Sequence, residues 1–201
     1  GPDTVVGVFD GRTVAVFGKQ ARPRRDGARF LIDLPTDGGG VRTAEVALAV
    51  GSRRYQQYFE RIERQGGVCF QRRPLLWHIG EQRWMHLNGV FLEPDDDDWS
   101  KHASIWNENC IFCHNSAARP GMVDLAVRAD PGRRAYDSHV GELGIACEAC
   151  HGPGGQHARA QQDPLARYVA HQQGAAQDIV HPDKLDHERS TALCGQCHGQ
   201  R

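Results

Sequence analysis

Arg29-Phe-Leu-Ile-Asp-Leu-Pro-Thr-Asp-Gly-Gly-Gly-Val-Arg-Thr-Ala-Glu-Val-Ala-Leu-Ala-Val50 reads as two apolar runs hinged on glycine. Arg29 to Leu34 and Val41 to Val50 are strand-like, and Asp37 to Gly40 supplies turn residues that tolerate positive φ. The same punctuation recurs on both sides. Val5 to Phe9 and Thr13 to Phe17 flank Asp10-Gly11, a hairpin dipeptide. Tyr55 to Gln65 and Val68 to His78 flank Gly66-Gly67 and predict a third hairpin, although the spacing in Tyr55 to Gln65 also fits a helix. Glu93 to Asp98 reads as a solvated acidic loop, because four adjacent Asp lack the alternate spacing of a calcium loop.

Composition narrows the class. The 201 residues carry 24 Lys+Arg against 25 Asp+Glu, which argues against a partner held by a basic surface, nucleic acid above all. The run Val46 to Val50 is far short of the roughly 20 residues of a membrane span. Apolar residues make up 39%, and glycine is abundant at 23 residues, so part of the core is expected to come from something other than side chains. The start at Gly1-Pro2 reads as a mature or trimmed end.

Cysteine and histidine carry the chemistry. Six of the seven Cys fall in Cys110-Ile-Phe-Cys113-His114, Cys147-Glu-Ala-Cys150-His151 and Cys194-Gly-Gln-Cys197-His198. A shuffled chain of this composition would hold about 0.013 such motifs. C-x-x-C-H is the pattern of covalent haem c attachment. Positions i and i+3 share a helix face, so two thiols can meet two vinyl groups of one porphyrin, and the next His reaches the iron. Zinc is the competing reading, but three C-x-x-C pairs do not divide into four-ligand sites, and zinc needs no His after each pair. The prediction is three haem c groups, attached at Cys110, Cys113, Cys147, Cys150, Cys194 and Cys197, with His114, His151 and His198 as proximal ligands. The seventh, Cys69, reads as a buried free thiol.

Eight other His remain for the far side of the irons. His86, His102 and His157 are the chosen distal ligands, with His139 and His187 in reserve. His157 follows a Gly152-Pro-Gly turn that lets the chain leave its own haem, and His102 lies between Trp99 and Trp106. Around the motifs, Tyr136 to His151 and Gln156 to Gln173 pattern as helices, the latter with a break at Pro164. His187 to His198 is expected to be a helix capped by Asp183.

Gly51-Ser-Arg-Arg-Tyr-Gln-Gln-Tyr58, Arg83-Trp-Met-His-Leu-Asn-Gly-Val-Phe-Leu92, Trp106 to His114, Cys147-Glu-Ala-Cys-His-Gly-Pro-Gly154 and Leu185 to Ser190 resemble the cytochrome c-554-like superfamily of bacterial multihaem cytochromes, often fused to tetratricopeptide repeats. The resemblance implies bis-His irons, closely packed haems and a distal role for His157. Relatives often extend beyond both ends, so a fragment, a processed product or one subunit of a larger wire is expected. The expected fold class is α+β with low regular structure: a β-rich region over 1–105 contributing distal ligands, then a mainly helical, haem-packed region over 106–201. The expected function is electron transfer in a periplasmic or extracellular relay. Its partners would be redox proteins, other copies of itself or other multihaem cytochromes. The alternative is a multihaem oxidoreductase with one open iron acting on small nitrogen or sulfur compounds.

Overall fold

The computed structural model describes residues 2–90, 104–172 and 179–199. His102 and the Glu93 to Asp98 loop lie outside the described residues. The chain divides into two units, Gly1–Asn109 with Pro120–Asp137 and Cys110–Arg119 with Ser138–Arg201.

The first unit is an antiparallel meander. Its strands are β1 (Val14–Val16), β2 (Lys19–Asp26), β3 (Arg29–Pro35), β4 (Val41–Val50), β5 (Tyr55–Arg64), β6 (Gly67–His78) and β7 (Arg83–His86), hydrogen-bonded in sequence order. Register slips near Val46/Leu48 and Gln57/Phe59 bend the long strands, and β1 comes against β7, so the sheet nearly closes. The Asp37 to Gly40 and Gly66 turns form where the sequence puts them, joining Pro35 to Val41 and Arg64 to Gly67. Tyr55–Arg64 is a strand, so the helical option is excluded there.

One expectation fails in this unit, and one strand was not anticipated. Val5 to Phe9 forms no strand: the Asp10 side chain accepts from Arg12 N–H at 3.0 Å and Gly11 N–H donates to Pro23 O at 2.9 Å, so the Asp10-Gly11 dipeptide caps a loop against β2. β2 went unread because charged residues fill it. Its inward positions are Ala21 and Pro23, and Asp26-Gly27 turns it into β3. Arg24 forks onto Asp33 across the β2–β3 pair (2.8 and 3.2 Å), and Thr43 Oγ donates to the same carboxylate. The Arg24 hydrogen bond holds the Asp33 carboxyl below its usual range. Its stabilisation is present above the ordinary carboxylate pKa and is lost as pH falls through the lowered one. Arg24→Ala should therefore move acid unfolding to higher pH, read by circular dichroism, and an unmoved acid limb would count against this pair.

Phe9, Phe30, Ile32, Tyr58, Leu75 and Trp77 form the core, with Trp84 packed edge-on to Phe9 at 5.0 Å. Gln56 is buried but satisfied: its amide oxygen accepts from Val6 N–H (2.8 Å) and Tyr58 OH (3.0 Å), and its nitrogen donates to Thr4 O. A second cluster joins Cys69, Ile105 and Tyr136. Here the segment 120–137 returns to the sheet, through Val68 N–H to Tyr136 O (2.9 Å) and Tyr136 N–H to Val68 O (3.1 Å).

The fold class expected from the sequence is overturned. Strand occupies 37% and helix 28%, and no mainly helical C-terminal region forms. The second unit holds only short helices, α1 (Cys110–Cys113), α2 (Glu148–His151), α3 (Gly155–Ala160), α4 (Pro164–Gln172) and α5 (His187–His198), with β8 (Asn115–Ser116) paired to β9 (Glu142–Leu143). The predicted helix from Tyr136 is replaced by pairing at Tyr136 and at β9, so only its last turn is helical. Pro164 opens α4, where a missing N–H costs nothing, and Asp163 caps it. Asp186, not Asp183, caps α5, accepting from Arg189 N–H at 2.8 Å.

Candidate haem-attachment motifs

Each C-x-x-C-H motif spans one helical turn. His114 N–H bonds to Cys110 O at 3.0 Å, and His151 N–H to Cys147 O at 2.9 Å; the third motif closes α5. Two sulfurs and an imidazole thus leave the backbone within one turn in all three places. Gly152 ends α2 at φ 75°, a left-handed conformation that favours glycine, and Gly154 N–H donates to Glu148 Oε1 at 2.6 Å. None of the seven cysteines is in a disulfide, and burial pushes the Cys69 thiol up.

His151 shows what the arrangement can do. Its Nδ1 lies 2.7 Å from Val180 O, and Val180 N–H returns to His151 O at 2.9 Å. A carbonyl only accepts, so Nδ1 carries the hydrogen. The neutral ring then presents the lone pair of Nε2, the form an iron ligand requires. Sequence reasoning missed Val180 because its contribution is a backbone oxygen, which no residue type announces.

The motifs are braced to one another. Ser116 Oγ donates to Gly144 O (3.1 Å) and accepts from Ala146 N–H (2.8 Å), tying the end of motif 1 to the approach to motif 2. α1 packs on α5, and the Cys113 thiol reaches Cys197 O at 3.6 Å. Partial burial, then the Cys113 thiol beside it and last the charge of Cys150, push the Cys197 thiol up.

No family model, curated protein or solved structure matches this chain.

The candidate distal ligands are dispersed. His157 lies half-buried on α3, in the same unit as the motifs. His86 is buried at the end of β7 in the sheet unit, where its Nδ1 accepts from Asn88 N–H at 3.2 Å and its ring meets Phe17 edge-on. That acceptor role puts the hydrogen of a neutral His86 on Nε2, the reverse of His151. His139 pairs through its backbone with Arg119, and His187 is the exposed first residue of α5. His78 is held in a turn, its Nδ1 accepting from Glu81 N–H at 3.0 Å. Arg134 is committed to Glu108 at 2.7 and 2.9 Å.

Two thiols and one imidazole on a single helical turn are a donor set that would fit a porphyrin. Among the described residues no three His, Cys, Asp or Glu side chains gather as a metal site. Structural zinc draws four ligands from the protein, whereas a porphyrin brings four nitrogens of its own. The burial pattern points the same way. Among the described residues of the second unit only Ile111, Asn115 and Ser116 are buried, while Leu143 (72% exposed), Leu165 (70%), Ile145, Tyr168 and Phe112 face outward. Isolated exposed apolar residues are ordinary, but most large apolar side chains among this unit's described residues are exposed, with Val140, Leu185 and Leu193 only partly covered, so those residues bury little core.

Proposed function

We propose that this chain is an electron-transfer protein that holds three haem c groups in its second unit and works in an extracytoplasmic compartment. The observation that carries the reading is how little the described residues of that unit bury: three one-turn motifs stand among largely exposed apolar side chains, which flat apolar macrocycles would cover. The six motif cysteines would hold the haems through thioethers, each Sγ–H being added across a vinyl C=C so that an S–C and a C–H bond replace the S–H and π bonds with no net redox change. Bound haem supplies reversible one-electron exchange at iron. The chain's own part is to anchor each macrocycle through Cys110/Cys113, Cys147/Cys150 and Cys194/Cys197, and to present His114, His151 and His198. His157, one α3 turn beyond the Gly152-Pro-Gly154 bend, is the distal candidate within the same unit. His86 would have to rearrange its Asn88 hydrogen bond to serve.

The resemblance to cytochrome c-554-like proteins agrees with this reading and makes redox proteins, including further copies of this chain, the partners. The described residues contain no helix long and apolar enough to cross a membrane.

Intact mass and oxidised and dithionite-reduced absorption spectra of the matured protein test the proposal. Three covalent haems with c-type bands are expected, and a chain of unmodified mass without visible bands would overturn it. Low-spin spectra favour a relay; a high-spin fraction moves the reading to an oxidoreductase with an open iron. His157→Ala should leave the haem count unchanged and convert one iron to high spin, and an unaltered low-spin spectrum would remove His157 from the ligand set.

A further inference from the structure

Chain order would make neighbours of consecutive motifs. The structure brings different cysteines together. α1 and α5 pack on each other within the second unit, although the first motif begins at residue 110 and the third at 194. At their crossing the Cys113 thiol donates to Cys197 O at 3.6 Å, and the Cys197 thiol lies 4.0 Å from Cys113 O. The approach is therefore reciprocal, and it falls on the second attaching cysteine of each motif, next to His114 and His198. Motif 2 is tied to motif 1 through flanking chain, where Ser116 holds Gly144 and Ala146 ahead of Cys147, and its Cys150 thiol acts on Cys197 through charge, more weakly than the hydrogen-bonded Cys113. Its own histidine is turned to a separate segment, at Val180.

We propose that the haems of motifs 1 and 3 form the directly adjacent pair, with the haem of motif 2 outside it. This rests on the trihaem reading and adds an order to it: the first and last attachment sites in the chain are the most strongly coupled redox neighbours. Charge placed on one member of such a pair raises the cost of charging the other, so the pair should titrate over a broader range of potential than the third haem.

The test uses the full matured chain. Haem is counted first by intact mass; a count of zero defeats the trihaem reading itself, independently of any pairing. With three haems present, Soret-region circular dichroism of coupled haems gives a two-signed band. The Cys147→Ala/Cys150→Ala variant, lacking haem 2, should keep at least half of that amplitude, and Cys194→Ala/Cys197→Ala should lose most of it. The opposite pattern overturns the pairing. Should either variant fail to accumulate, reduced unaltered protein decides by proton NMR. Porphyrin protons assigned through the Cys113 and Cys197 β-protons should show cross-relaxation with each other. Cross-relaxation of the Cys113-linked porphyrin with the Cys150-linked one alone would defeat the proposal while leaving the trihaem reading intact.

Discussion

Without its attachment cysteines, the chain should keep one unit and lose the other. Replacing Cys110, Cys113, Cys147, Cys150, Cys194 and Cys197 by alanine removes the means of holding a macrocycle. The sheet unit retains Ile32, Tyr58, Phe59, Leu75 and Leu76, all at 0% exposure, and each such side chain contributes about 1.5–3 kcal/mol. Its amides should stay protected from hydrogen exchange by on the order of a thousandfold or more, the level of a domain with about 5 kcal/mol of stability. The second unit buries Ile111, Asn115 and Ser116 among its described residues and has nothing comparable to draw on. The longest helix among its described residues, α5, has 12 residues, a length at which an isolated helix is marginal in water. Exchange across 138–172 and 179–199 should therefore approach the unfolded rate. Slow exchange in α5 of the substituted chain would show that this unit holds itself together, and would remove the main support for haem.

Glu60→Ala should be the most damaging single change on the sheet surface. Glu60 takes a two-point hydrogen bond from Arg42 at 2.7 and 2.8 Å and also faces Arg73 at 3.1 Å. Arg73 is buried, its side chain 9% exposed, and burial lowers its pKa to about 10. The carboxylate is what makes a buried guanidinium tolerable there. Removing one partner of a buried pair leaves an uncompensated charge, which costs about 3–5 kcal/mol, whereas replacing both by apolar residues is often near neutral. Glu60→Ala should lower the urea midpoint by the equivalent of about 3 kcal/mol, and Glu60→Leu with Arg73→Met should recover most of it. A double variant as weak as the single one would mean that Glu60 acts through Arg42 or through packing.

Legibility followed the range of the interaction. Turns set by two or three residues were readable: Asp37 to Gly40 and Gly66 each close a hairpin in which positive-φ glycine does local work. Asp10-Gly11 misled because the Asp10 side chain answers Arg12 and its glycine answers β2, a partner invisible from the dipeptide. β2 was hidden because the long Arg side chains carry their charge outward while Ala21 and Pro23 alone mark the buried face. The helix expected from Tyr136 lost to pairing with Val68, which lies far back in the chain. At the candidate site, residue types were legible and partners were not. The C-x-x-C-H motifs propose their own ligand set, but the Val180 carbonyl that sets the His151 tautomer and the meeting of Cys113 with Cys197 both need the folded backbone.

The return of 120–137 to the sheet also bears on how such a protein can be cut, grafted or inherited. Gly67 sits so close to that segment that an added Cβ would lie 2.7 Å from Tyr136 O, which ties the returning strand to a position with no room for a side chain. The unit that carries the three C-x-x-C-H motifs is therefore discontinuous in sequence, made of 110–119 and 138–201 with 120–137 of the sheet unit between them. No single crossover point or protease cut separates the two units cleanly. A cassette beginning near residue 106 would carry Tyr136 without its Val68 partner, and one beginning at 138 would leave the first motif behind. Transplanting all three motifs means moving two segments together, or taking the sheet with them.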